Sequence, residues 1–355
     1  MAKTDNPSTN NRRAGRAVTL KDVAERANVH LSTVSRVLNP ANRKMVSDDV
    51  ANRIKAIADE MGYSTNPFGY GLRTRKSHSI GVVIPDLTNP VFPPIIRGME
   101  HALRENGYTA FLADSNESVE EERTIVRQMM SRQIEGLVLA SALRADTIID
   151  EAIKQGLPIV LINRTTDDER VLSVTNDDHR GALLAADHLI DLGHRKIAHL
   201  SGPEHFSTGF ARRNGFVMAL KRRKVPLNEK LLITCGGLGI EDGAKGFHEL
   251  MARGEEFSAI FAGNDAMALG CYLAMKEHGL SCPDDISIIG YNDMPMMDLV
   301  QPALSTIKFD LYEMGSSAAK TLLEILDDES DAPLPTILEP ELVVRDSTAM
   351  VVTRR

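Results

Sequence analysis

Tryptophan is absent from this chain, cysteine occurs three times, and aromatic residues make up only 5% of 355 positions. The cysteines (Cys235, Cys271, Cys282) are odd in number, widely spaced and lack metal-ligand spacing, which excludes a disulfide-stapled scaffold and a zinc module. Read as small buried hydrophobes, they fit a reducing cytoplasm. No apolar run reaches the roughly 20 residues a membrane-spanning helix needs. Residues 1–16 are polar, so no signal peptide is expected either. H-E-x-x-H, Cys/His clusters, the P-loop and G-x-S-x-G are all missing. No metal, cofactor or nucleophilic catalyst is therefore assigned, and the chain reads as something other than an enzyme.

What is present begins with a charge asymmetry. The length implies two or three domains, and 43% hydrophobic with 25% charged residues is ordinary for globular protein. The net charge of −8 argues against nucleic acid only as an average. Residues 1–76 hold 14 Lys and Arg against 7 Asp and Glu, whereas residues 77–355 hold 27 against 42. A small basic head on an acidic body is expected where only the head touches phosphate. Residues 1–16, rich in Asn, Ser and Arg, read as a disordered tail.

The head is patterned around T-L-K-D-V-A-E-R-A-N-V-H-L-S-T-V-S-R-V-L, residues 19–38. Thr19 can cap a first helix, whose Leu20, Val23, Ala24 and Ala27 recur at spacings of three and four. Asn28 tolerates turn geometry. A second short helix turns Val34, Val37 and Leu38 inward and presents Leu31, Ser32, Thr33, Ser35 and Arg36. This is helix-turn-helix layout, with a second helix fit for the major groove. Ser47 caps a third helix, 48–61, with an apolar stripe of Val50, Ile54, Ile57, Ala58 and Met61 closed by Gly62. The duller alternative is a helical hairpin with a solvated polar face.

From Ser79 the pattern changes to apolar runs alternating with helical segments: I-G-V-V-I, Y-T-A-F-L-A, G-L-V-L-A, P-I-V-L-I, V-L-S-V, K-I-A-H-L, K-L-L-I-T, S-A-I-F-A, I-S-I-I-G and L-S-T-I. Continuous apolar strands joined by helices imply parallel sheets covered on both faces. Ten strands exceed one comfortable sheet, so two doubly wound lobes are expected. Nearly every strand ends in polar or turn residues, and ligands bind at the carboxyl ends of strands in such sheets. Two lobes facing across those ends would make a small-molecule cleft.

The run V-T-L-K-D-V-A-E-R-A-N-V-H-L-S-T-V-S-R-V-L-N resembles the N-terminal signature of the lactose-repressor (LacI/GalR) family of bacterial transcription regulators, and the likeness extends over about residues 17–350. The resemblance implies a helix-turn-helix head over 17–65, a hinge helix over 66–77, and a periplasmic-binding-protein-like α/β effector and dimerisation domain over 78–350. Its lobes would exchange strands: 78–175 with 308–337, and 176–307 with 338–350. The hinge helix of the family orders on its operator and wedges a leucine into the minor groove. Leu72 stands at that position, beside Arg73. Gly69 and Gly71 weaken helix propensity there by about 1 kcal/mol each, so a plain flexible linker is the alternative.

The DNA-contact residues implied are Thr19, Leu20, Lys21, Leu31, Ser32, Thr33, Ser35, Arg36, Asn39, Leu72 and Arg73. Arg36 is the candidate for a bidentate contact to guanine; Thr33, Ser35 and Asn39 suit phosphate. His30 stands where the family usually has a Ser cap, and can cap when neutral. The effector residues implied are Asp86, Phe92, Asn163, Arg164, Arg212, Asn264 and Asn292. Asp265 reads instead as the cap of helix 266–277, and Asn292 replaces the Asp of many relatives. Segment 93–103 is implied at a dimer face, giving a homodimer that reads palindromic double-stranded DNA. The function expected is a cytoplasmic, sequence-specific regulator, a repressor controlled by a small sugar-like effector. The competing reading, a sugar-binding protein without a DNA role, would need an export signal and no basic head.

Overall fold

The computed structural model describes residues 18–38, 46–63, 77–168, 170–327 and 334–351. The N-terminal tail, Asn39, and hinge positions 66–76 with Leu72 and Arg73 lie outside the described residues. Two compact units divide the chain, one ending at Ser77 and one beginning at His78.

The first unit holds α1 (Leu20–Ala27), α2 (Leu31–Val37) and α3 (Asp48–Glu60). Thr19 and Asp22 form a reciprocal capping box at the start of α1: the Asp22 amide donates to the Thr19 hydroxyl, and the Thr19 amide donates to the Asp22 carboxylate at 2.7 Å. Asn28 ends α1 in left-handed geometry at φ 51°. His30 caps α2, its Nδ1 accepting from the Ser32 amide at 3.2 Å. Ser47 precedes α3 but its side chain makes no capping hydrogen bond. Val23, Ala24, Ala27, Val34, Val37, Ala51, Ile54 and Ala58 are the buried core of this unit, with Leu20 and Leu38 packed against it.

In the second unit nine of the ten apolar runs enter two parallel sheets, and the tenth, L-S-T-I, forms a strand outside them. The first lobe carries β1 (Ser79–Ile84), α4 (Phe92–Glu105), β2 (Thr109–Asp114), α5 (Val119–Ser131), β3 (Gly136–Leu139), α6 (Thr147–Lys154), β4 (Ile159–Ile162) and β5 (Leu172–Asn176). The second carries α7 (Asp178–Asp191), β6 (Ile197–Ser201), α8 (Ser207–Arg222), β7 (Leu232–Thr234), α9 (Ile240–Ala252), β8 (Ala259–Ala262), α10 (Asp265–Glu277) and β9 (Ser287–Ile289). β10 (Thr306–Lys308), α11 (Leu311–Leu326), β11 (Thr336–Leu338) and β12 (Glu341–Val343) complete the described elements.

The first sheet runs β11-β5-β4-β3-β1-β2 and the second β7-β6-β8-β9, with β10 and β12 paired antiparallel beside them. All ten apolar runs form strands; β11 and β12, three residues each, are additions. Because β11 pairs with β5 while β12 pairs with β10, the chain passes between lobes three times. One departure from a doubly covered sheet is β2. It is an edge strand, and its Phe111 and Leu112 are exposed, because nothing among the described residues lies outside it. Helices α4 and α11 touch backbone to backbone: a Cβ at Gly98 would meet the Tyr312 carbonyl oxygen at 2.0 Å, and one at Gly315 that of Ile95 at 1.8 Å.

Candidate functional site

Two surfaces gather the residues singled out from the sequence. On α2 the inward residues Val34 and Val37 are buried, which fixes the rotation of the helix. Leu31, Ser32 and Arg36 are therefore exposed, and Thr33 and Ser35 are half-buried. Leu31 shows 45% of its surface at the start of this seven-residue helix. Lys21 points to solvent near Glu25, 3.8 Å away. Thr19 and Leu20 are half-buried, with the Thr19 hydroxyl engaged by Asp22 at 2.6 Å. Of the first-unit candidates, Lys21, Leu31, Ser32 and Arg36 are exposed and Thr19, Leu20, Thr33 and Ser35 half-buried, while Asn39, Leu72 and Arg73 lie outside the described residues.

The second surface is a cleft between the two sheets, where strand carboxyl ends converge. Its cavity, of about 30 Å³, is lined by Asn89, Val91, Phe92, Glu117, Asn163, Arg164, Thr208, Arg212, Leu238, Asn264 and Asn292. Six of the seven effector candidates meet there. Asp86 does not: its carboxylate accepts from the Thr88 amide at 2.7 Å and the Thr88 hydroxyl at 2.6 Å, closing the turn after β1.

Arg212, on α8 with 3% of its surface exposed, is held from three directions. Its Nε donates to Asp178 Oδ1 at 2.7 Å, Nη1 to the Gly263 carbonyl at 2.7 Å, and Nη2 to Asn292 Oδ1 at 3.3 Å. Its guanidinium stacks 3.8 Å from the centre of the Tyr291 ring. Burial pushes the Asp178 carboxyl upward, and the Arg212 cation opposes that shift. The Asn292 carbonyl oxygen thus does what an Asp would do toward Arg212, while its amide remains a donor. Both Asn163 (φ 65°) and Asn292 (φ 107°) occupy positive-φ geometry at strand ends, aiming side chains that a regular strand would turn away.

Arg164 follows β4 and is equally buried. It makes a bidentate pair with Glu117, at 3.0 and 2.7 Å, and lies 3.7 Å over the Phe206 ring. Asn264 is the helix cap here, correcting the assignment to Asp265: its Oδ1 accepts from the Met267 amide at 2.8 Å and its Nδ2 donates to the Leu238 carbonyl. Asp265 is fully buried one residue later, receiving the Met294 amide and the Thr306 hydroxyl. Burial raises its carboxyl to about 7.

The mouth of the cleft is bridged. Arg144 donates from its backbone to the His205 carbonyl (3.1 Å) and from Nη1 to the Glu204 carbonyl (3.1 Å), and its guanidinium sits 3.6 Å over Phe210. Thr165 donates to the Ser207 hydroxyl at 2.9 Å. Asp167 pairs with Arg144 at 2.8 Å and steadies it. These residues, with Glu117, Thr208, Asn89 and Leu238, were not identified from sequence; their roles arise from tertiary contacts that no local motif encodes.

Among the described residues no group of three or more His, Cys, Asp or Glu is arranged to hold a metal ion, and no helix is long and apolar enough to cross a membrane. Cys235 and Cys271 are buried and Cys282 is half-buried, all three as free thiols.

Comparison with known proteins finds matches for both units of the chain. Residues 19–66 match the family model for bacterial regulatory proteins of the lacI family, and residues 77–339 that for periplasmic binding proteins and the sugar-binding domain of the LacI family. The HTH-type transcriptional repressor CytR of Escherichia coli K12 is 32% identical over 94% of this chain and 96% of its own. The ribose operon repressor of Haemophilus influenzae is 30% identical over 93% and 98%. Among solved structures, the Lac repressor dimer bound to operator and the anti-inducer ONPF superposes with a TM-score of 0.84 at 28% identity, covering 94% of this chain and 100% of that one. A complex of the regulator CelR with cellobiose gives 0.72 at 27% identity, covering 93% and 99%. With a family model spanning most of its length and full-length relatives above 30% identity, the chain belongs to the LacI family of bacterial regulatory proteins.

Proposed function

We propose that this protein is a sequence-specific, effector-responsive transcriptional repressor, with α2 as its reading helix and the interlobe cleft as its effector site. Residues 17–65 are the DNA-binding domain, 66–77 the connector, and 78–350 the effector and dimerisation domain in this reading. The observation that carries it is the outward face of α2, where Leu31, Ser32 and Arg36 stand exposed above a packed Val34 and Val37. An exposed leucine, a hydroxyl and a guanidinium on one short helix match the needs of a major-groove reader: a methyl contact, an adaptable hydrogen bond and a bidentate donor. One such helix reads few base pairs, so the active species is a homodimer on a palindrome. The relatives are named as regulators, and the proposal is binding without catalysis, in the cytoplasm where the operator lies.

The effector reading rests on the convergence of Phe92, Asn163, Arg164, Arg212, Asn264 and Asn292 at strand carboxyl ends. CelR was solved with cellobiose and a LacI-family regulator of Enterococcus faecium with ribose, which supports a sugar or sugar-like ligand. The test is a gel-shift titration with duplexes from the promoter beside the gene. Wild-type protein should prefer one duplex over mixed-sequence DNA, and Arg36→Ala should lose about 1–3 kcal/mol of that preference while keeping effector affinity. Equal affinity of the wild type for every duplex at low salt would sink the regulator reading; unchanged discrimination in the variant would remove Arg36 from the interface.

A further inference from the structure

Resting on the effector site just proposed, we infer that the cleft selects an uncharged, hydroxyl- or carbonyl-bearing ring and rejects phosphorylated or carboxylated metabolites, and that Glu117 is the residue that sets this selectivity.

Among the described residues lining the cavity, the charged ones are Glu117, Arg164 and Arg212. Two buried guanidinium groups at a ligand site would ordinarily mark an anion site, since Arg forks match phosphate and carboxylate. Here each guanidinium is already paired with a carboxylate of the protein, Arg164 through its whole fork and Arg212 through one nitrogen. Arg164 gives both terminal nitrogens to Glu117, and Arg212 is paired through Nε with Asp178, whose side chain is 8% exposed. An entering phosphate would have to take the buried Arg164 fork from Glu117, whose own side chain is 41% exposed, and would meet that carboxylate's negative charge at the same guanidinium.

The groups left over suit a neutral ligand. Arg212 uses three of its five N–H donors on protein acceptors, and it lines the cavity. Thr208 is 2% exposed, and its hydroxyl has no hydrogen-bond partner although it is buried on the cavity wall. A buried unpaired hydroxyl is unfavourable, and a ligand hydroxyl or carbonyl would satisfy it. Amides from Asn89, Asn163 and Asn292 add donors and acceptors without charge, and Phe92 supplies an apolar face.

The test uses the full-length chain, inorganic phosphate as the anion probe, and sodium chloride at matched ionic strength as the control. Wild-type protein should show no saturable phosphate-dependent rise in unfolding midpoint. Glu117→Gln, which frees the Arg164 fork, should gain saturable phosphate binding at least about tenfold tighter than any in the wild type. A second substitution, Arg164→Met, should abolish that gain. If Glu117→Gln is too unstable to unfold cooperatively in chloride, phosphate should restore the transition. Saturable phosphate binding by the wild type, no gain or rescue in Glu117→Gln, or a gain that survives Arg164→Met would each overturn the assignment. The effector-site reading itself is judged separately, by whether Arg212→Ala abolishes the midpoint rise that a neutral sugar found by screening gives the wild type.

Discussion

Glu122 lies on the inner side of α5 with 4% of its surface exposed, and burial pushes its carboxyl from the usual 4.5 to about 7. The folded chain therefore holds a proton at pH values where the unfolded chain has released it. Stability from this group is complete below about pH 4.5 and is lost as the pH rises through about 7. Asp265, raised to about 7 by burial, acts in the same direction. Replacing Glu122 with Gln keeps the shape and removes the charge that must be buried at high pH. The variant should match the wild type near pH 5 and exceed it at pH 8 by about 1–3 kcal/mol. Thermal or denaturant unfolding at the two pH values checks this; an equal change at both would show that the side chain acts through packing alone. His199 has the opposite sense: burial between Phe216 and Phe261 lowers its imidazole from 6.5 to about 4, so its contribution is complete above about pH 6.5 and is lost as the pH falls through about 4.

At the scale of the element, two glycines set how closely α4 and α11 approach. Replacing glycine with alanine in a helix normally stabilises by about 1 kcal/mol, so the sign of the effect tests the contact. Gly98→Ala and Gly315→Ala should instead destabilise by about 1–3 kcal/mol, because each new methyl would overlap a backbone oxygen of the facing helix. Neutral or raised denaturation midpoints would mean that the helices separate at no cost. This contact was invisible in the sequence, where Gly98 sits in an amphipathic run and Gly315 carries no signal. The ten core strands were legible because burial on both sheet faces demands unbroken apolar runs. β2 shared that run and yet is an exposed edge, since apolar composition does not say what covers a strand. β11 and β12 escaped notice because three residues hold no periodicity, and Ile337 is 65% exposed. In the cleft, residues at strand ends could be found, since topology brings those ends together. Glu117 could not, because it sits in the acidic run N-E-S-V-E-E-E and its partner Arg164 is 47 residues away.

For the second unit as a whole, the decisive fact is that its lobes are in contact at the mouth of the cleft. A cavity of about 30 Å³ admits roughly a water molecule, whereas small-molecule sites occupy about 300–1,000 Å³. Effector entry therefore requires the lobes to part, breaking the Arg144 bonds to His205 and Glu204, its stacking on Phe210, and the Thr165–Ser207 bond. Each is worth about 0.5–1.5 kcal/mol, so together they rival the 1–3 kcal/mol over which effector and operator sites are typically coupled. The latch thus biases the unit toward closure before any ligand arrives, and lowers the apparent rate of ligand entry by the fraction of time the mouth is shut. Arg144→Ala removes the stacking and side-chain bonds while sparing every residue that lines the cavity. In hydrogen exchange without ligand, amides in 142–146 and 203–210 should exchange about tenfold faster in the variant, with the strands of both sheets unchanged. Stopped-flow association of a neutral sugar found by screening should quicken in the same proportion. Exchange that is identical in the two proteins would mean that closure is maintained by the backbone bond to His205, the Thr165–Ser207 bond and the three interlobe crossings, with the Arg144 side chain only a surface ion-pair partner of Asp167.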